Sequence, residues 1–160
     1  MSIIDSLITN RTGGYYNQSD MQRVCDACSY LKTNLNNITD EIETYLNSHN
    51  VASDELFLIE HNTIEASLIT ATWNVGDIPK KAELDSIIQL LTEIKNSLSV
   101  ETEEIPNTYN RLSVDGANNI EKMLQEIEAE RIRAINLSEY LIDLASQRKI
   151  YSDEFYGGEV

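Results

Sequence analysis

The sequence predicts an all-α fold, a helical bundle or hairpin closed by one long C-terminal helix. Three observations predict it. Apolar residues recur at three- and four-residue spacing in separate stretches, each stretch starts near a residue suited to helix capping, and the last runs on for about thirty residues.

The elements follow in order. A short apolar patch, Ile3, Ile4, Leu7 and Ile8, ends at a break where Gly13 and Gly14 supply turn geometry. Ser19 or Asp20 is positioned to cap a helix whose apolar residues are Met21, Val24, Cys25, Cys28, Leu31, Leu35 and Ile38. A second helix is expected from about Asp40 to Asn47, or else a kinked continuation of the first, because Asp40 and Glu41 suit the positive end of a helix dipole. From Ser53 to Thr70 helical spacing is mixed with β-branched residues, and helix is favoured over strand.

Trp73-Asn-Val-Gly-Asp-Ile-Pro punctuates the middle, with Gly76 for the turn, Asp77 as a cap and Pro79 in the first turn of a new helix. Trp73 itself is expected to be buried under that turn, the alternative being an anchor for a partner. Leu84, Ile87, Ile88, Leu91, Ile94 and Leu98 form the apolar stripe of the following helix.

The long pattern then runs from about Ala117 to Arg148, on the order of 45 Å if helical throughout. Its seam of Ile120, Leu124, Ile127, Ala134, Leu141 and Ala145 is close to a heptad, broadened by Met123, Ile132, Ile135, Leu137, Ile142 and Leu144 and interrupted by Arg131 and Ser138. A small domain cannot cover such a helix, so self-association through it is expected, with Ile120, Leu124, Ile127 and Leu141 in the interface. Tyr151, Phe155 and Tyr156 join them as aromatics in a polar tail that dock on a partner or a neighbouring copy, the alternative being a tail folded back on its own chain or frayed. The chain divides accordingly into an N-terminal helical region (1–76), a central helix and linker (77–112) and the long helix with its aromatic tail (113–160).

Composition narrows function. The 160 residues, 41% hydrophobic and 24% charged, suffice for a modest core. Net charge is −15, from 12 basic against 27 acidic residues, spread evenly along the chain. No basic run could neutralise several phosphates, so neither nucleic acid nor an anionic membrane is an expected partner. No apolar run approaches the roughly eighteen residues needed to span a bilayer, and the first residues lack the basic and apolar regions of a signal peptide.

Chemistry is not expected. Cys25-Asp-Ala-Cys28 lies within a helix rather than after a strand, and His49 and His61 follow at spacings unlike those of zinc fingers, so two reduced thiols on a half-buried face are expected. The acid pairs Asp40-Glu41 and Asp54-Glu55 could hold calcium only loosely, without an EF-hand ladder. No phosphate loop, dinucleotide fingerprint, zinc-protease motif or nucleophile elbow occurs in the sequence. The expectation is a protein that is not an enzyme, with no catalytic residues, metal or cofactor.

Four stretches carry a resemblance. They are Thr9-Asn-Arg-Thr-Gly-Gly-Tyr-Tyr-Asn-Gln-Ser-Asp-Met-Gln-Arg-Val, Trp73-Asn-Val-Gly-Asp-Ile-Pro-Lys-Lys-Ala-Glu-Leu, Leu112-Ser-Val-Asp-Gly-Ala-Asn-Asn-Ile-Glu-Lys and Tyr151-Ser-Asp-Glu-Phe-Tyr-Gly-Gly-Glu. Together, in this order, they resemble small structural proteins encoded in the tail and baseplate regions of bacteriophages and prophages of Gram-positive bacteria. In that family a Tyr-Ser-Gly-Glu-type ending recurs, and here Asp153 replaces the glycine. The resemblance implies a virion component present in several copies, acting on itself and on other virion proteins, with no catalytic residue to carry over and with motifs that punctuate structure. A second class of function, a small acidic module that mimics nucleic acid and blocks a basic protein, is consistent with the charge.

Overall fold

A computed structural model describes residues 1–50 and 61–156, with side-chain surroundings up to residue 144 and at Gln147. It is helical, as the sequence predicts, with no strand among the described residues. After a 3-10 turn at Ile3–Ser6 come α1 (Gln18–Asn36), α2 (Ile38–Ser48), α3 (Lys81–Lys95) and α4 (Val114–Tyr156).

The chain forms two compact units, neither contiguous in sequence. The first comprises residues 1–36 and 60–130, the second 37–59 and 131–160. The breaks expected after residues 76 and 112 do not delimit them, because residues distant in sequence share each unit's core.

In the first unit, α1 buries Met21, Val24, Cys25, Ala27, Cys28, Leu31 and Leu35, the row expected from spacing with Ala27 added and with Ile38 lost to the next helix, α2. Asn17, not Ser19 or Asp20, caps it. The Asn17 Oδ1 accepts the Asp20 N–H at 3.1 Å, and the Asp20 Oδ2 accepts the Asn17 N–H at 2.9 Å. Asp20 thus sits three residues inside the cap, where a reciprocal acceptor satisfies a second free donor.

Residues 61–73 contain no helix. The expected Ser53–Thr70 helix is therefore corrected over its second part, and 51–60 lie outside the described residues, Asp54 and Glu55 among them. Side chains of α1 and α3 take the main-chain groups of this strap in place of a helix ladder. Asn36 both accepts from the Ile64 N–H, at 2.8 Å, and donates to the Ile64 carbonyl, at 3.0 Å. Glu93 accepts from the N–H groups of Glu65 and Ala66, while Lys32 donates to both carbonyls. Gln22 accepts from the Trp73 N–H and donates to the Ala71 carbonyl, and Gln18 donates to the Trp73 carbonyl. With Ile64, Ala66 and Trp73 buried, tertiary bonding outweighs the weak local preference for helix.

Trp73 is buried as expected. Gly76 takes a left-handed φ of 95°, and Asp77 closes the turn instead of capping α3: its carboxylate accepts the Asn74 N–H at 2.6 Å. The cap of α3 falls at Lys80, whose N–H donates to Glu83 at 2.7 Å. Along α3, Ile87, Leu90, Leu91 and Ile94 are buried; Leu90 extends the expected stripe, whose Leu84 and Ile88 are half-buried. Ser113 caps α4 by accepting the Gly116 N–H at 3.0 Å, so the helix starts three residues before the expected Ala117.

The second unit pairs α2 with the later part of α4. Ile38, Ile42, Leu46 and Ile142 are its buried cluster among the described residues, with Tyr45 and Ala134 packed against it.

Candidate functional site

Within the first unit, Ile120, Met123, Leu124 and Ile127 of α4 are completely buried. Ile120, Leu124 and Ile127 are therefore core residues of this chain, and the interface expected at them is corrected. Burial against the chain itself leaves no area for a second chain. The same face also carries a charge cluster that spacing does not reveal. Glu121, with its side chain wholly inaccessible, accepts from Nε and Nη2 of Arg23 at 3.0 and 2.7 Å and from Nη2 of Arg11 at 3.1 Å. It also accepts the main-chain N–H of Ile8. Asp20 accepts from Arg11 at 2.5 Å and from Arg23 at 2.8 Å. Asn118 clamps the main chain of Arg11 from both sides, accepting its N–H at 2.9 Å and donating to its carbonyl at 3.0 Å.

Two arginines and two carboxylates balance, as buried charge requires. Burial pushes the Asp20 carboxyl up, but hydrogen bonds from Arg11, Asn17 and Arg23 outweigh it and hold the group well below the usual carboxylate range. The Arg23 guanidinium is raised, chiefly by its hydrogen bond to Glu121. Beside the cluster, the Tyr16 and Tyr109 hydroxyls share a hydrogen bond at 2.6 Å with rings edge to face, and burial raises both phenols. Three of the four motif stretches thus meet in one unit: Arg11, Tyr16, Asp20 and Arg23 come from the first and Asn118 and Glu121 from the third. Trp73, from the second, is tied to α1 through Gln18 and Gln22.

Cys25 and Cys28 are free, buried thiols. Burial pushes the Cys25 thiol up to about 11, opposed by the neighbouring Trp73 indole, and pushes the Cys28 thiol well above its ordinary value. A raised thiol is poor as nucleophile and as ligand. Among the described residues no group of three or more His, Cys, Asp or Glu side chains is placed to hold a metal.

In the second unit α4 carries two heptad rows on opposite faces, about 160° apart at 3.6 residues per turn. Arg131, Ile135, Ser138 and Ile142 form one. Arg131, Ser138 and Ile142 are buried, the Ser138 hydroxyl donates to the Ile135 carbonyl at 2.5 Å, and Arg131 lies 3.7 Å from Glu41 of α2. The polar interruptions seen in the sequence therefore belong to packing within the chain. Arg133, Leu137, Tyr140, Leu144 and Gln147 form the other row, and every member is exposed. Leu137, Tyr140 and Leu144 are 44%, 58% and 39% accessible, so three large apolar side chains stand in water at spacings of three and four. Leu141 is half-buried at the edge between the rows. Tyr151, Phe155 and Tyr156 fall on the last turns of α4, and their side chains lie outside the described residues.

Sequence reading thus groups the apolar residues of α4 but not their partition. No described helix is long and apolar enough to cross a membrane. No known family, no curated protein and no solved structure matches the chain.

Proposed function

We propose that this chain is a multicopy structural component of a bacteriophage tail or baseplate, assembled in the host cytoplasm, which works by packing against copies of itself and against other virion proteins. The observation that carries the reading is the exposed row Leu137, Tyr140 and Leu144 on α4. A contiguous apolar face of this kind marks an interaction site in a water-exposed protein. The phage assignment rests on the four-stretch resemblance, and the convergence of three stretches on one unit accords with motifs that specify a fold.

The test is whether the chain is present in purified particles of a phage that encodes it, and whether Leu137→Glu removes it from them while the protein still folds. Retention of the variant at wild-type copy number would overturn the reading.

The net charge of −15 favours one alternative, an acidic module that occupies the nucleic-acid site of a basic protein. Its binding would weaken steeply with salt, whereas assembly through an apolar row would hold or strengthen.

A further inference from the structure

Resting on the assembly reading, we infer that the segment before Gly13 is exchanged between neighbouring copies, the residues up to Thr12 of one docking on α1 and α4 of the next.

The segment buries the side chains of Ile4 and Leu7. Among the described residues, its hydrogen bonds to α1 and α4 all end on side chains. The Ile8 N–H donates to Glu121, the Arg11 guanidinium to Asp20 and Glu121, and Asn118 clamps the Arg11 main chain. The bed beneath is built without the segment. Arg23 holds Glu121 through Nε and Nη2 and reaches Asp20 with the same Nη2, so both carboxylates stay aimed at the place of the Arg11 guanidinium, whichever chain supplies it. With the segment lifted, two carboxylates face one guanidinium, and the surplus negative charge selects an arginine. Arg11 is the only base among the first 22 residues.

The tether allows exchange. Thr12, Gly13, Gly14 and Tyr15 are exposed, and none makes a hydrogen bond to another described residue. A Cβ at Gly13 or Gly14 meets nothing within 4 Å, so no packing fixes the direction in which the chain leaves Tyr16. At about 3.4 Å per residue, the steps from Arg11 to Tyr16 reach roughly 17 Å at most. Exchange therefore joins copies that abut beside the start of α1.

An exchanged segment makes the same contacts as a resident one, so effective concentration decides between them. In dilute solution the tethered segment wins. Among copies held side by side the neighbour's segment competes with it.

Cross-linking in the full chain reads the exchange. One variant carries Ile8→Cys and another Lys122→Cys, both at exposed positions beside the contact of the Ile8 N–H with Glu121. The native Cys25 and Cys28 are buried. Incubated together at high concentration and treated with a short bismaleimide, the two are expected to form a covalent heterodimer, and a chain carrying both cysteines is expected to link internally. Arg11→Ala tells exchange from proximity. Added to the Lys122→Cys chain, it loosens the segment resident on that bed and should raise heterodimer yield about tenfold; added to the Ile8→Cys chain, it weakens the incoming segment and should lower the yield by as much. Equal effects from the two placements, or no heterodimer where the double variant links internally, would overturn exchange. Circular dichroism of each variant before treatment separates loss of contact from loss of fold. If exchange fails while Leu137→Glu still strips the chain from particles, the assembly reading stands with each copy keeping its own segment.

Discussion

The Glu121 carboxylate accepts both Nε and Nη2 of Arg23, at 3.0 and 2.7 Å, across 98 residues of sequence. The same carboxylate takes Arg11 and the main chain at Ile8, so one inaccessible acid joins the N-terminal segment, α1 and α4.

Removing that acid leaves two largely buried guanidinium groups sharing Asp20. Glu121→Ala is expected to destabilise the chain by about 3 kcal/mol or more, the usual cost of breaking a buried pair from one side. Urea unfolding followed by circular dichroism measures it, and a loss under 1 kcal/mol would mean that the cluster is dispensable.

Acid should act through Asp20. Its folded value is depressed, so its contribution to stability is complete above the unfolded value of about 3.9 and is lost as pH falls from there toward the folded one. Wild-type stability should therefore decline below about pH 5, and Asp20→Asn should flatten that decline while lowering stability at neutral pH. Parallel pH curves for the two proteins would assign the acid sensitivity elsewhere.

Alkali should act through the thiols and the Tyr16–Tyr109 pair. Their folded values are raised, so the stability they contribute is present below their ordinary values and is lost as pH climbs toward the folded ones, about 11 for Cys25. At pH 8 neither thiol should react with a disulfide reagent in the native protein, whereas both should react at once in denaturant. Rapid native reaction of either thiol would contradict its burial.

The two apolar rows of α4 should respond differently to charge. Leu124→Glu places a carboxylate in a fully buried position and is expected to unfold the first unit, at a cost above about 4 kcal/mol. Leu137→Glu, on the exposed row, should change stability by no more than about 0.5 kcal/mol and act only on assembly. Comparing the melting midpoints of the two variants checks this.

Much of the fold was legible in the sequence, since a helix that must bury one side records the fact in residue spacing. Met21, Val24, Cys25, Cys28, Leu31 and Leu35, and Ile87, Leu91 and Ile94, are buried as their periodicity predicts. The strap at 61–73 was not, because the groups that hold its main chain, Asn36, Glu93, Lys32, Gln18 and Gln22, lie on other elements and are ordinary surface residues in a linear reading. The charge cluster escaped for a similar reason: Glu121 is one of 27 acids, and nothing local marks it as buried.

By itself the sequence determined that the chain is helical, where most helices lie and which residues are apolar enough to be buried. All of that is encoded within a few residues. Only the tertiary structure decided which apolar row of α4 is used up inside the chain and which is left open, and that Arg11, Asp20, Arg23 and Glu121 are one group. Those facts depend on which surfaces meet across a hundred residues, and local periodicity carries no record of the partner.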